Sequence, residues 1–252
     1  MRKFRAFSKL GYVYPEKPYQ SLGWITSYTY FDQQSHFGNR DYDGNLNSFY
    51  TNLIFKTIIG TTDHKISSGL SLQYDDYSEL FLEENYDRRE IVPGAFTQYT
   101  WSIPEKMVFM AGLRYDYNSL HGSLVTPRLH FKYNIDENHL LRSTLGKAYR
   151  SANIFTENLS LLASSRQFII EDDPDIESAW NAGVSFTRHF YMTGQREASL
   201  TVDFYRTQFQ NQVVVDRDHS VREVNIYNLQ GQSYSNSFQI DFTGEVVKGL
   251  DM

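Results

Sequence analysis

Between residues 112 and 134 the chain reads GLRYDYNSLHGSLVTPRLHFKYN, with Arg114, Asp116, Arg128, His130 and Lys132 each one position from Leu, Tyr or Phe. Successive side chains of a strand point to opposite faces, so such a segment has one ionic face and one oily face. The same alternation recurs along the chain. Phe49, Thr51, Leu53, Phe55, Thr57 and Ile59 oppose Asn52 and Lys56, and Leu70, Leu72 and Tyr74 oppose Ser71, Gln73 and Asp75. Leu200, Val202 and Phe204 oppose Thr201, Asp203 and Tyr205, and Phe238, Ile240 and Phe242 oppose Gln239 and Asp241. The pattern predicts about eleven strands, near 2–13, 20–31, 45–59, 64–77, 89–101, 107–118, 124–134, 139–149, 176–190, 197–215 and 222–247.

The connections between these strands alternate in kind. YPEKP, GTTDH, IPEK, IDEN and MTGQRE are short and rich in Gly, Pro and charge, and read as tight turns. Between them fall mostly longer segments, 32–44, 78–88 and 150–175, with 119–123 and 216–220 as shorter members of that set. Short turns at one end and long loops at the other are what an up-and-down membrane barrel gives. The strands also run to a dozen residues, beyond the five or six usual in soluble sheets. No apolar run approaches the roughly 18 residues of a membrane helix, a test that a barrel escapes because only alternate residues meet lipid. A soluble sheet protein, a binding or adhesion module with its long loops as contact surface, shows the same alternation and stays open on pattern alone.

Composition shifts that balance. Aromatic residues make up 16% of the 252 positions, with 19 Tyr and 18 Phe. Many stand at strand ends (Tyr12, Tyr14, Tyr28, Tyr30, Tyr115, Tyr117, Tyr133, Tyr149, Trp24 and Trp101), where a membrane protein carries its interfacial girdles. The net charge of −6 argues against nucleic acid as a partner. The absence of Cys excludes disulfides, zinc-thiolate sites and cysteine nucleophiles. Neither a Ser/Gly linker nor a repeat beyond the hairpin rhythm divides the chain, so residues 1–252 are read as one unit.

Enzymatic signatures are sparse. The seven histidines (36, 64, 121, 130, 139, 189 and 219) form no i, i+4 pair, Gly146-Lys147 lacks the rest of a phosphate loop, and there is no Gly-x-Ser-x-Gly elbow. No catalytic residue, resident metal or cofactor is expected. Two acidic segments, 40–45 and 171–177, have calcium-like chemistry without EF-hand spacing and read as solvated loops. The 150–175 loop is long enough to have structure of its own, with a short helix plausible over 154–166. Tyr149, Arg150, Phe155, Arg166 and Phe168 are its candidates for meeting a ligand.

Five pieces in order carry a family likeness: AGLRYDYNSLHG with TPRLHFKYN, LLRSTLGKAYRSANIFTEN, ESAWNAGVSFT and LTVDFYRTQFQNQVVV. Over 107–245 the chain resembles the barrel of a TonB-dependent outer-membrane receptor, of a Bacteroidetes-like style; residues 1–106 match mainly in rhythm and aromatic content. The resemblance implies an antiparallel transmembrane barrel of twenty-two strands around a separate plug, of which about eleven strands make half. It implies an outer-membrane location, lipid around the oily face, and a plug and TonB complex as partners. The cargo implied is a small chelated nutrient, first an iron-siderophore, with cobalamin, haem or a glycan as alternatives. No plug-like sequence precedes Arg2, so the chain is expected to be an internal piece that does not transport alone. Arg114, Asp116, Arg128, His130, Lys132 and Arg142 are then the candidates for facing the channel and its plug.

Overall fold

The computed structural model describes residues 1–170, 174–192, 196–247 and 250–251. In chain order the strands are β1 (Arg2–Tyr14), β2 (Lys17–Phe37), β3 (Arg40–Ile59), β4 (Thr61–Phe81), a short β5 (Glu84–Asn85), β6 (Arg88–Ile103), β7 (Met107–Asn118), β8 (Gly122–Asn134) and β9 (His139–Arg150). Two helical turns follow, α1 (Ile154–Glu157) and α2 (Leu159–Leu162). Then come β10 (Gln167–Ile170), β11 (Glu177–Met192), β12 (Arg196–Asn211), β13 (Val213–Asp216), β14 (Glu223–Asn228), β15 (Ser233–Val247) and β16 (Leu250–Asp251). One antiparallel sheet runs β1-β2-β3-β4-β6-β7-β8-β9-β11-β12-β15-β16, so the predicted eleven long strands are present and pair in sequence order. The sheet is open: β1 pairs only with β2 among the described residues.

Residues directly opposite in an antiparallel pair share a face. The register therefore carries one face unbroken across the sheet. Lys56 opposes Ser67, Gly94 opposes Asp116, Gly112 opposes Arg128, Lys132 opposes Arg142, and Ser185 opposes both Arg142 and Asp203. That is the ionic face. The other face is apolar and uncovered, with Leu70 63% exposed, Leu113 52% and Phe238 65%. Among the described residues no second layer stacks on it, as a soluble sandwich would require. Tyr115, Tyr117 and Tyr133 lie on this outer face, as do Trp24, Tyr28 and Trp101. His64 joins the turn-end girdle, its ring stacked between Tyr99 and Trp101. Among the described residues no helix is long and apolar enough to cross a membrane.

Three features differ from the sequence reading. Segments 32–44 and 78–88 are not loops: β2 and β3 run on to a turn at Gly38 (φ 66°), and β4 continues to Phe81. The strand expected over 197–215 ends at Asn211, and the one expected over 222–247 is two strands, β14 and β15. The pieces cut off, β13 and β14, join β10 in a separate three-stranded sheet ordered β10-β14-β13, in which β10 and β14 are parallel. Two four-residue helical turns replace the single short helix. These additions sit at the long-loop end and form a cap.

Candidate functional site

The cap is held to the sheet by an apolar cluster and by a polar clasp. Phe155 of α1 (2% exposed) and Leu162 of α2 (0%) pack on Tyr42 of β3 and Phe81 of β4, both 1% exposed. Tyr86 approaches Phe155 with ring centroids 4.6 Å apart, and Phe168 meets Phe81 edge-on at 5.4 Å. The Tyr42 hydroxyl donates to Glu79 Oε1 at 2.6 Å. Burial raises the Glu79 carboxyl above the ordinary carboxylate range, and burial beside Glu79 likewise raises the Tyr42 phenol.

The clasp centres on Glu90 of β6. Its Oε2 accepts from Asn118 Nδ2 (3.0 Å) and Ser151 Oγ (2.8 Å), and Arg88 Nε forms an ion pair with Oε1 at 3.0 Å. The Arg88 guanidinium lies 4.4 Å over the Tyr77 ring. It donates to the Ala152 carbonyl at 2.8 Å and to Asn153 Oδ1. These contacts span more than sixty residues of sequence and carry the start of the cap inward over β8 and β7 to β6.

Under the clasp the ionic face is concave, with a cavity of about 610 Å³ lined by Asp75, Arg114, Asp116, Arg128 and Arg150 among others. Arg114 and Asp116 form a bidentate pair: Nε donates to Oδ2 and Nη2 to Oδ1, both at 2.6 Å, while Nη2 also donates to Ser71 Oγ at 2.7 Å. Gly94 makes room for that triad. A Cβ there would stand 2.0 Å from Asp116 Oδ1. Arg150 at the rim is paired twice, with Glu177 (2.5 Å) and Glu157 (3.1 Å).

The two candidate sets divide on this geometry. Arg114, Asp116, Arg128, His130, Lys132 and Arg142 all share the ionic face, as their period of two requires. Of these, Arg114 and Asp116 satisfy one another, whereas Arg128, Lys132 and Arg142 make no hydrogen bond or ion pair with any described residue. Among the loop candidates, Phe155 is core of the cap rather than a ligand contact, and Phe168 packs beside it. Tyr149 takes the outward register beneath the Lys147 ammonium (4.7 Å) and is among the residues that line the cavity. Arg166 donates to the Arg217 carbonyl at 2.8 Å, joining the cap to the 217–222 turn. Glu90, Arg88 and Ser151 were not singled out by sequence, because nothing local couples residues so far apart.

The two calcium-like segments resolve differently. Residues 40–45 are strand, not loop, and Asp41 is held by His36 Nδ1 at 2.7 Å. Of 171–177, residues 171–173 lie outside the described residues; Glu177 pairs with Arg150, and the Asp175 amide donates to Asn228 Oδ1. Among the described residues no group of three or more His, Cys, Asp or Glu is placed to hold a metal ion.

A family model described as TonB dependent receptor-like, beta-barrel, matches residues 3–252. The chain belongs to this family. No curated protein matches it. Among solved structures the receptor barrel is similar to the copper transporter OprC, with a TM-score of 0.70 at 12% identity over 97% of this chain and 43% of that one. It is also similar to the alcaligin outer membrane receptor FauA from Bordetella pertussis (0.63, 13% identity, 97% and 44% covered). FpvA of P. aeruginosa bound to heterologous pyoverdines gives 0.64 at 8% identity, over 98% and 38%. At these identities the likeness is one of fold. The receptor barrel described here spans less than half the length of each.

Proposed function

We propose that this chain forms part of the barrel of a TonB-driven outer-membrane receptor that imports a chelated nutrient without chemical change, an iron-siderophore before cobalamin, haem or a glycan. What supports this most is the register. Across eleven long strands one face stays apolar and uncovered while the other keeps its charges, the partition demanded by lipid outside and water within. A Lys or Arg moved to the lipid side at mid-membrane costs about 2–4 kcal/mol, so the alternation is held in place by energy. The cargo order follows the fold neighbours, whose names include siderophore receptors as well as a copper transporter. On this reading the outer membrane is the location, the plug and TonB are the partners, residues 1–252 act as one barrel portion, and the free cations of the channel face are the plug contacts. The cap over the 610 Å³ cavity then faces the outside, where a ligand first arrives.

Two experiments test this. In lipid vesicles, Thr126→Cys on the ionic face is expected to react with a water-soluble maleimide, and Leu113→Cys only with a lipid-soluble maleimide. The reverse labelling sinks the channel. In the source bacterium, disrupting the gene is expected to abolish uptake of radiolabelled iron from one siderophore. Loss of haem or cobalamin uptake instead reassigns the cargo, and undiminished uptake of all of them ends the import reading.

A further inference from the structure

The apolar face carries positive charge at its cap-side edge. Lys147 of β9 opposes Trp180 of β11, and Arg206 of β12 opposes Ala182, which puts both cations on the outer face. Below them β11 runs Ala182, Val184 and Phe186 and β12 runs Phe204, Val202 and Leu200, with no outward charge on β11 before Arg188 near the short turns. Lys147 and Arg206 therefore stand where the apolar belt ends, a level at which a lipid-facing cation costs little. Both lean toward the cap. The Lys147 ammonium lies 4.7 Å from the ring centre of Tyr149, two residues nearer the cap. The Arg206 guanidinium lies 4.5 Å from that of Tyr234, which opposes Gln208 one row nearer the cap. Long cationic side chains lean in this way to carry their heads out of hydrocarbon.

Neither cation meets a carboxylate. Lys147 makes no hydrogen bond or ion pair with a described residue, and Arg206 donates to Gln208 Oε1 at 3.0 Å. β9 has no acidic residue, and Glu177, Glu197 and Asp203 of β11 and β12 belong to the ionic face. Asp175, just before β11, lies 3.5 Å from His121. Across the sheet the cap-side edge of the outer face is self-satisfied instead: Arg89 is paired with Asp76 at 3.0 Å, and the Tyr28 hydroxyl donates to Asn47 Oδ1 at 2.9 Å. Lys147 and Arg206 are two strand spacings and one row apart, roughly 12 Å between Cα atoms. Trp180 stands between them, so a group seated over its ring is within side-chain reach of either.

We propose that this outward patch on β9, β11 and β12 binds phosphate-bearing lipid headgroups of the cap-side leaflet, with Lys147 and Arg206 as the cations and Trp180 as the floor. The proposal rests on the lipid reading of the apolar face given above, and adds a place and a charge preference. Two cations at a wet surface hold a dissolved phosphate weakly. A lipid is already confined beside them by its chains, which the belt directly below receives, so its effective concentration is far higher.

The test uses the full chain with Trp24→Phe and Trp101→Phe, which leaves Trp180 as its one tryptophan, in phosphatidylcholine vesicles. Quenching by phosphatidic acid brominated on its acyl chains is compared with quenching by equally brominated phosphatidylcholine. Phosphatidic acid is expected to be preferred at Trp180 about fivefold, a preference that salt weakens. Lys147→Gln/Arg206→Gln should remove the preference and Lys147→Arg should keep it. Arg188→Gln, at the other edge of the belt, should leave it unchanged. Phosphatidylcholine should quench every variant alike, which separates loss of the site from loss of the fold. No preference in the parent, or an undiminished one in the double variant, overturns the proposal. So does a preference abolished by inorganic phosphate but not by chloride of equal ionic strength, since the cations then serve a soluble anion. Should phosphatidylcholine fail to quench Trp180 at all, the lipid reading falls and the proposal with it, and the Leu113→Cys labelling should fail as well.

Discussion

The two ends of the ionic face solve the same electrostatic problem in opposite ways. At the cap end, Arg88, Arg114 and Arg150 are paired with carboxylates of the chain, and the pairs of Arg88 and Arg150 brace a folded cover. At the turn end Lys132 and Arg142 are directly opposed, and neither pairs with a described residue. Internal pairing gives a surface that is complete by itself, whereas unpaired like charge gives one that is complete only with something else against it.

The cap end should be the fragile one. Phe155→Ala is expected to cost about 3–5 kcal/mol of local stability, because it empties the centre of the apolar cluster. Hydrogen exchange should quicken over 154–170 and across the β10-β14-β13 sheet, with the turn-end rows unaffected. Gly94→Ala comes next, at about 1–3 kcal/mol, since its methyl displaces Asp116 from Arg114. A drop in melting temperature without cap release would show it acting on the wall alone. Arg142→Gln has the opposite sign: removing the charge that faces Lys132 should stabilise the sheet by about 0.2–1 kcal/mol, read from the shift of the unfolding midpoint. A destabilised Arg142→Gln would mean that the turn end is internally paired after all, and the contrast would vanish.

The smallest effect is one of pH. Burial raises the Glu79 carboxyl, so its ionised form is disfavoured in the docked cap. As pH falls from neutral through that raised value, protonation stabilises the docked state, and the gain is complete once pH reaches the ordinary carboxylate value. Rising pH reverses it. Cap protection factors, corrected for the intrinsic pH dependence of amide exchange, should therefore rise on mild acidification in the parent and not in Glu79→Gln.

The sheet was legible because its signal is local. A period of two over a dozen residues sets each strand and its facing, and the five ionic-face charges between Arg114 and Lys132 needed no structure to be put on one face. Legibility failed where that period carries no contrast. Gln33, Gln34, Ser35, Asp41 and Asp43 are polar on both faces, so the β2–β3 hairpin beyond the membrane read as loop. It failed again where pairing is non-local. Val213–Val215 continues the apolar run of β12 in sequence, yet it leaves the main sheet to pair with β14, which in turn runs parallel to β10 from some fifty residues earlier. The packing of Phe155 and Phe168 was hidden for the same reason: their partners, Tyr42 and Phe81, come from strands more than seventy residues upstream.

Among the described residues β1 bonds along one flank, to β2. In hydrocarbon an orphaned peptide group is several kcal/mol uphill, with no water at hand to relieve it. A strand zipped onto the other flank would do two things at once, sealing the wall and letting the ribbon rest in lipid.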